Sequence, residues 1–143
     1  GEAGLRVLAA ELGLGQRLRL LGRVDDAALA QAYADCDVFC LPSLDRAESF
    51  GLVLLEAMRA SRAVVASRIT GSGVNHVVSE GETALQVPPG DAEALAAALA
   101  RLATEPALRE RLGAAGRRRF EREFDIRRCA EQLETLYREV LRD

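Results

Sequence analysis

Along the chain, short runs of mainly apolar residues alternate with segments in which apolar residues recur at a helical spacing. Short, mainly apolar runs at residues 18–21, 38–41, 63–66 and 83–87 are typical of short strands, and the second of them, which is continuous, suits a strand buried on both faces. Between and after these runs, apolar residues recur every three or four positions, which predicts helices. Strands that alternate with helices predict an α/β fold, in which helices cover both faces of a mainly parallel sheet.

Glycine, proline and aspartate residues mark where several of the helices are predicted to begin and end. Residues 13–15 include two glycines and are expected to close a first helix, and the acidic residues 25–26 to begin a second. Asp91 is predicted to cap a later helix, Pro106 to lie in the first turn of the next, and Asp125 to cap the last. Two glycines late in the helix that Pro106 begins are expected to weaken it.

Composition and charge exclude several classes of function. A net charge of −3 gives no electrostatic reason to expect nucleic-acid binding, and the basic residues 117–119 are expected to form a solvated helix end. The nineteen basic residues are all arginines, which excludes a lysine Schiff base. No apolar run reaches the roughly 18 residues of a membrane helix and no signal sequence opens the chain, so we expect a cytoplasmic protein.

The cysteines and the histidine carry no recognisable catalytic or metal-binding pattern. Cys36, Cys40 and Cys129 match neither a zinc site nor a redox Cys-x-x-Cys pair, and they are expected to be small buried side chains. His76 is the only histidine, and its position at a short helix favours a surface or capping role over that of a base. No Asp-x-Asp cluster suited to a metal bridge is expected.

The segment at residues 42–58 is the first place to look for a ligand site, because ligands of open α/β sheets bind where loops leave the carboxyl ends of strands. Its polar loop leads into a helix predicted over about residues 52–60. The backbone N–H groups of Phe50, Gly51 and Leu52 lie at the positive end of that helix, which favours an anion. Gly51 has no Cβ, so a phosphate oxygen could approach its backbone closely.

Two glutamates flank this predicted anion site. Taken alone, Glu56 reads as a helix residue that reaches an arginine or solvent, and Glu48 as a turn residue near a helix start. Two carboxylates beside a phosphate would repel it, so a sensible role for the pair is to accept hydrogen bonds from hydroxyls. A phosphate together with many hydroxyls indicates a nucleotide sugar.

The spacing from Glu48 to Glu56 resembles the Glu-x-seven-Glu motif of retaining glycosyltransferases with the GT-B fold, of family four (group 1) type. Four further segments are similar to such enzymes in the expected order: residues 20–24, 34–43, 71–73 and 81–91. The resemblance covers essentially the whole chain. It implies a single Rossmann-like, nucleotide-sugar-binding domain over residues 1–143, the C-terminal half of a GT-B fold that lacks its first strands and the N-terminal acceptor domain.

The resemblance also implies a role for each candidate residue. Glu48 would hold the hydroxyls of the donor sugar and orient it without acting as a nucleophile, and Glu56 would bind the ribose hydroxyls. The other implied contacts are those of Phe50, Gly51 and Leu52 with the diphosphate and those of Arg23 and Val24 with the base. The chain departs from the usual family residues at Ser61 (Gly), Ala63 (Pro), Asn75–His76 (Pro-Glu) and Ala84 (Gly).

The implied function is transfer of a sugar from a nucleotide-diphosphate donor, without cofactor or divalent metal and with retention of configuration. The acceptor, a sugar, a lipid or a small molecule, would be held by the missing domain, and the fragment alone would be inactive. Peripheral membrane association of the full enzyme is compatible with this function. The alternative is a nucleotide-binding or interaction module that has lost transferase activity. A related epimerase or phosphorylase ranks last, because the chain lacks the histidines and phosphate ligands that it would need.

Overall fold

The computed structural model describes residues 1–46 and 50–141. They form two compact units, an N-terminal unit (Gly1–Gln31) and a larger unit (Ala32–Asp143). The elements, in chain order, are α1 (Glu2–Glu11), α2 (Asp26–Asp35), β1 (Val38–Leu41), α3 (Leu52–Arg59), β2 (Ala63–Ser67), α4 (Val74–Val77), β3 (Ala84–Val87), α5 (Ala92–Thr104), α6 (Pro106–Arg119), a π-turn (Phe120–Phe124) and α7 (Ile126–Val140).

The N-terminal unit confirms the predicted helix boundaries but not the predicted strand. Gly13 adopts a left-handed backbone (φ +67°) just after α1, and Asp25 accepts a hydrogen bond from the Ala28 backbone N–H (2.8 Å) at the start of α2. The strand predicted at residues 18–21 is wrong, because these residues form no sheet ladder. A short apolar run becomes a strand only where a neighbouring strand supplies the ladder hydrogen bonds.

The larger unit is built on a parallel sheet in the order β1-β2-β3. Val38 of β1 pairs with Ala63 of β2, and Val64 of β2 pairs with Ala84 of β3. Every residue of the central strand β2 is buried. The predicted parallel sheet is therefore confirmed for the three strands in the described part of the chain.

Alternate residues of β2 belong to two separate cores, one on each face of the sheet. Val64 and Ala66 pack with the α3 residues Leu54 and Met58. Ala63 and Val65, on the other face, pack with residues of α5 and α6 that include Leu102 and Leu112. Burial on both faces explains why residues 63–66 of β2 are all apolar, and it confirms the predicted layers.

The glycines of α6, which were expected to weaken it, do not interrupt this helix. The helix runs through Gly113 and Gly116 to Arg119, and both glycines are buried. A Cβ on Gly113 would collide with the backbone oxygen of Ser61, and one on Gly116 would lie 3.3 Å from Cγ of Met58. The two glycines therefore allow α6 to pack closely against α3 and the turn that follows it.

The basic residues 117–119 are only partly the solvated helix end that was expected. Arg117 donates a hydrogen bond to the backbone oxygen of Arg59, the last residue of α3. Arg119 donates to the backbone oxygen of His76 (2.8 Å) and forms an ion pair with Glu123 (3.2 Å). Only Arg118 is exposed, so two of the three guanidinium groups tie α6 to its neighbours.

The C-terminal end of the described chain changes helix type before α7. Residues Phe120–Phe124 form the π-turn, which the hydrophobic period did not predict. Asp125 then accepts a hydrogen bond from the backbone N–H of Arg127 (2.9 Å), which confirms it as the cap of α7. No residue of α7 is buried. Among the described residues, no helix is long and apolar enough to span a bilayer.

Candidate functional site

The loops that follow β1 and β2 lie at one edge of the sheet, as the sequence predicted. The strands are parallel, so their carboxyl ends at Leu41 and Ser67 point the same way. The guanidinium carbon of Arg46, in the first loop, lies 3.2 Å from the position of a Cβ on Gly71 in the second. The start of α3 is reached from the first of these loops, which places it at the ligand-binding edge of an α/β sheet.

Gly51 gives α3 its abrupt start. Its backbone is left-handed (φ +81°), and its carbonyl oxygen accepts a hydrogen bond from the Leu54 N–H (2.8 Å). A Cβ at this position would lie only 2.7 Å from Cδ1 of Leu54. Glycine is therefore required here by the fold of the chain itself, a reason that the sequence interpretation, based on phosphate approach, did not include.

Glu56 lies on α3, and its carboxylate is held by a tyrosine from α2. The side chain of Glu56 is exposed, and its Oε2 accepts a hydrogen bond from the Tyr33 hydroxyl at 2.8 Å. The same hydroxyl lies 3.3 Å from the backbone oxygen of Val53. Taken alone, Glu56 was expected to reach an arginine or solvent, and within the predicted site it was expected to accept hydrogen bonds from ribose hydroxyls. Neither prediction included Tyr33.

Tyr33 is a buried residue with an environment that favours its neutral form. Only 8% of its surface is exposed, and its ring packs on that of Phe39 with 5.4 Å between centroids. Burial, followed by the hydrogen bond to Glu56 and the charge of that carboxylate, raises the pKa of Tyr33 well above its usual range. The hydroxyl is therefore a hydrogen-bond donor throughout the neutral pH range.

Three rings cluster beside the start of α3. The centroids of Phe50 and Phe124 are 6.3 Å apart, and His76 lies 6.5 Å from Phe50 and 5.9 Å from Phe124. The edge-to-face packing of both other rings against Phe124 is a favourable aromatic geometry. His76 is exposed on α4, as expected, but its ring packs against Phe124, which the π-turn carries and the sequence interpretation did not consider.

The structure brings together some of the predicted site residues. Phe50, Gly51, Leu52 and Glu56 lie on or just before α3 in the larger unit. Arg23, which is exposed, and Val24, which is half-buried, belong to the N-terminal unit. Glu48, predicted to hold the donor sugar, lies outside the described residues.

The departures from the usual family residues have structural explanations at two positions. Ser61 has a left-handed backbone (φ +58°), the conformation in which glycine is favoured, and its N–H donates to Met58 O (2.9 Å) as in a Schellman helix end. The Asn75 side chain donates to Ile69 O (2.7 Å) and accepts from Gln86 Nε2 (3.0 Å). Asn75 thus connects α4 to β3.

No group of three or more potential metal ligands occurs among the described residues. The chain does contain one run with Asp-x-Asp spacing, Asp35 to Asp37, which the sequence interpretation passed over. It precedes β1, at the amino ends of the strands, and Asp37 pairs there with Arg109 (4.0 Å). That position is opposite to the edge at which α3 begins.

The three cysteines are free thiols, as expected for a chain without disulfides. Each is half-buried, less enclosed than the sequence interpretation expected. Burial raises the pKa of the Cys36 and Cys40 thiols, which disfavours the reactive thiolate.

Comparisons with known sequences identify one family. The family described as Glycosyl transferases group 1 matches residues 1–119. A phosphatidyl-myo-inositol mannosyltransferase from Mycobacterium leprae (strain TN) is 43% identical over 128 residues, 90% of this chain and 33% of that protein. A D-inositol 3-phosphate glycosyltransferase from Saccharomonospora viridis is 39% identical over 94% of this chain and 30% of its own length. The chain spans about a third of the length of these relatives.

Comparisons with solved structures agree on the fold. Sucrose-phosphate synthase from Thermosynechococcus elongatus has a TM-score of 0.84 and 38% identity, with 99% of this chain and 35% of that chain covered. Anabaena Alr3699/HepE in complex with UDP-glucose has a TM-score of 0.83 and 26% identity, with 94% and 36% covered. The predicted fold class, a Rossmann-like part of a GT-B fold, is therefore confirmed.

Proposed function

We propose, from the premise that this chain belongs to the Glycosyl transferases group 1 family, that it binds a nucleotide-diphosphate sugar as the donor in sugar transfer. The observation that carries this proposal is the start of α3. There, a helix begins abruptly at Gly51 on the ligand-binding edge of the sheet, and Glu56 is held about one turn farther along. This arrangement combines a place for an anion with a carboxylate that accepts hydroxyl hydrogen bonds.

The diphosphate is assigned to the helix start and the ribose to the glutamate. The backbone of Phe50, Gly51 and Leu52 would hold the diphosphate, because the first turn of a helix presents N–H groups and a partial positive charge. Glu56 would accept hydrogen bonds from the ribose hydroxyls. The complex of Anabaena Alr3699/HepE with UDP-glucose, in a chain of the same fold, supports this class of ligand.

The remaining roles follow the family resemblance. Glu48 would hold the hydroxyls of the donor sugar and orient it for transfer. Arg23 and Val24 would lie along the base. These three assignments involve no contact described above, and each stays a prediction.

In the reaction, the bond between the sugar and the diphosphate breaks, and negative charge grows on the departing phosphate oxygen. We propose that the start of α3 stabilises this charge with fixed backbone dipoles, so that the transfer needs no divalent metal. Retention of configuration is proposed from the family resemblance alone. Fixed dipoles of this kind need no reorganisation as the charge develops. The acceptor, a sugar, a lipid or a small molecule, would be bound by a further domain, and this chain alone would bind the donor without transferring it.

We propose residues 1–143 as one donor-binding domain within a longer enzyme that works in the cytoplasm, where it could associate peripherally with a membrane. Among the described residues, nothing favours the alternative of a module that has lost activity. Formation of a glycosylated product by the longer enzyme would separate the two functions, because an inactive module would bind the donor and yield no product.

The direct test is calorimetric titration of UDP, GDP and ADP, each with and without its sugar, into the folded chain. We expect one nucleotide to bind best, and Glu56→Ala to weaken it roughly tenfold or more, because hydrogen bonds to a charged group contribute about 1.5–3 kcal/mol. Glu110→Ala, at an exposed glutamate of α6, is the matched control and should leave the affinity unchanged. A folded chain that binds no nucleotide, or equal binding by Glu56→Ala, would contradict the proposal.

A further inference from the structure

The contact between Tyr33 and Glu56 joins a buried residue to an exposed one. Tyr33 is almost fully enclosed near the end of α2, whereas Glu56 faces outward from α3. The 2.8 Å hydrogen bond involves only one carboxylate oxygen of Glu56, Oε2. The described residues give this carboxylate no second hydrogen-bond partner.

The hydrogen bond from Tyr33 restricts the orientation of the Glu56 carboxylate but leaves most of its acceptor sites available. A glutamate carboxylate offers about four acceptor sites, and the Tyr33 hydroxyl takes one of them. Two neighbouring hydroxyls of one sugar ring can therefore still donate to the carboxylate. A glutamate side chain on a helix surface would otherwise sample many rotamers, and ordering it on binding would reduce the affinity.

The tyrosine itself is held firmly enough to act as an anchor. Its ring packs on Phe39 of β1, and its hydroxyl also lies 3.3 Å from the backbone oxygen of Val53, one turn before Glu56 on α3. Both contacts fix the position of the hydroxyl relative to the helix. The anchor point thus belongs to the core of the larger unit and does not depend on a bound ligand.

We propose that Tyr33 is a positioning residue that pre-orients the Glu56 carboxylate for two ribose hydroxyls, and that it thereby sets the preference of this chain for ribonucleotides over deoxyribonucleotides. This inference rests on the donor-binding function proposed above. It assigns Tyr33 no contact with the nucleotide. Its effect passes through Glu56 alone.

A purely structural role is the competing explanation, because the hydrogen bond to Val53 could satisfy the buried hydroxyl by itself. The two explanations differ in what Tyr33→Phe would change. Loss of a structural contact would lower the stability and weaken all nucleotides alike. Loss of a positioning contact would weaken the ribonucleotide more than the deoxyribonucleotide.

The test measures the affinity of the preferred nucleoside diphosphate and of its 2′-deoxy form by calorimetry. For Tyr33→Phe, which keeps the ring and removes the hydroxyl, we expect about fivefold weaker ribonucleotide binding and a smaller loss for the deoxy form. Tyr137→Phe, the same change at an exposed residue of α7, should alter neither affinity. An unchanged ratio of the two affinities in Tyr33→Phe would overturn the inference.

A double-mutant comparison isolates the route through Glu56. In a Glu56→Ala background, Tyr33→Phe should cause no further loss of ribonucleotide affinity, whereas the same fivefold loss there would overturn the positioning role. If Glu56→Ala itself has no effect, the proposed ribose site fails and this inference fails with it. If Glu56→Ala weakens binding but Tyr33→Phe does not, only the inference about Tyr33 fails.

A second measurement keeps the inference testable should Tyr33→Phe not fold. The chain has two tyrosines, so wild-type protein labelled with fluorotyrosine should give two ¹⁹F resonances, assigned with Tyr137→Phe. Saturation with the nucleotide should shift the Tyr33 resonance and leave that of Tyr137 in place. A Tyr33 resonance that does not move at saturation would contradict coupling through Glu56.

Discussion

Helices α3 and α7 were both predicted from the pattern of their apolar residues, yet α3 is packed in the core and α7 buries none of its residues. In α3, the side chains of Leu54, Ala57 and Met58 are fully buried against β2 and its neighbours. In α7, none of the residues is buried, and Leu133 and Val140 are 52% and 64% exposed. The period of a sequence therefore predicts that a segment is an amphipathic helix, whereas burial depends on a second surface that faces it.

The largest expected difference between the two helices is in the cost of removing a leucine. Leu54→Ala should lower the free energy of unfolding by about 3–4 kcal/mol, because it leaves a cavity in a closed core. Leu133→Ala should cost less than about 0.5 kcal/mol, as exposed substitutions usually do. Urea unfolding of both variants checks this. Equal losses would mean that the apolar face of α7 is covered in solution.

The two helices also begin differently, and Gly51→Ala tests the start of α3. A left-handed alanine costs about 1–2 kcal/mol, and the contact of its Cβ with Leu54 adds to this, so we expect a total loss of roughly 2–3 kcal/mol. Nucleotide binding should weaken as well, since the helix start would shift. In the control Gly4→Ala, the new Cβ meets nothing within 4 Å in α1, and we expect a gain of up to about 1 kcal/mol. Wild-type stability in Gly51→Ala would refute the steric argument.

Helix α7 begins with a side-chain cap, the carboxylate of Asp125. Asp125→Ala should lower the stability of this helix by about 1 kcal/mol. Because α7 buries none of its residues, this loss should appear as faster amide hydrogen exchange within α7 and leave global unfolding almost unchanged. Asp91→Ala removes the equivalent 2.9 Å cap from α5, whose Leu102 is fully buried. For Asp91→Ala we therefore expect a lower free energy of global unfolding. A global effect of both variants would show that α7 folds together with the core.

The smallest expected effect concerns the end of α3. Ser61→Gly should raise the free energy of unfolding by about 0.5–1 kcal/mol, because relief of a left-handed serine exceeds the entropy cost of glycine. Ala60→Gly, at the adjacent residue with φ −81°, should be neutral or destabilising. Thermal unfolding of the pair distinguishes these signs. A destabilised Ser61→Gly would mean that the serine side chain has a role of its own.

Local signals account for most of what the sequence predicted correctly. Asp91 and Asp125 could be predicted as caps from residue type and position, because a capping aspartate bonds to a backbone N–H only two or three residues away. The start of α3 could be predicted to follow the carboxyl end of β1 because the strand pattern of residues 38–41 precedes the helix pattern that begins near residue 52. These features need no information from distant parts of the chain.

Non-local contacts account for what the sequence did not predict. The hydrogen bond from Tyr33 to Glu56 joins residues 23 positions apart. Gly113 of α6 packs against the backbone of Ser61, in the turn that follows α3. The strand predicted at residues 18–21 failed for a similar reason, since a strand depends on a partner. The hydrophobic period did not predict the π-turn. Phe124, which belongs to this turn, packs against the rings of Phe50 and His76.

The amino-acid sequence by itself determined the α/β order of this protein, the caps of its later helices and the segment from which a donor site could be built. These depend on hydrophobic period and on bonds between near neighbours, which act before the chain is folded. Only the tertiary structure decided which face of each helix is buried, why Gly51 and Ser61 take left-handed backbones, and that Tyr33 holds Glu56. Those outcomes depend on surfaces and hydrogen-bond partners that meet only when separate elements pack together.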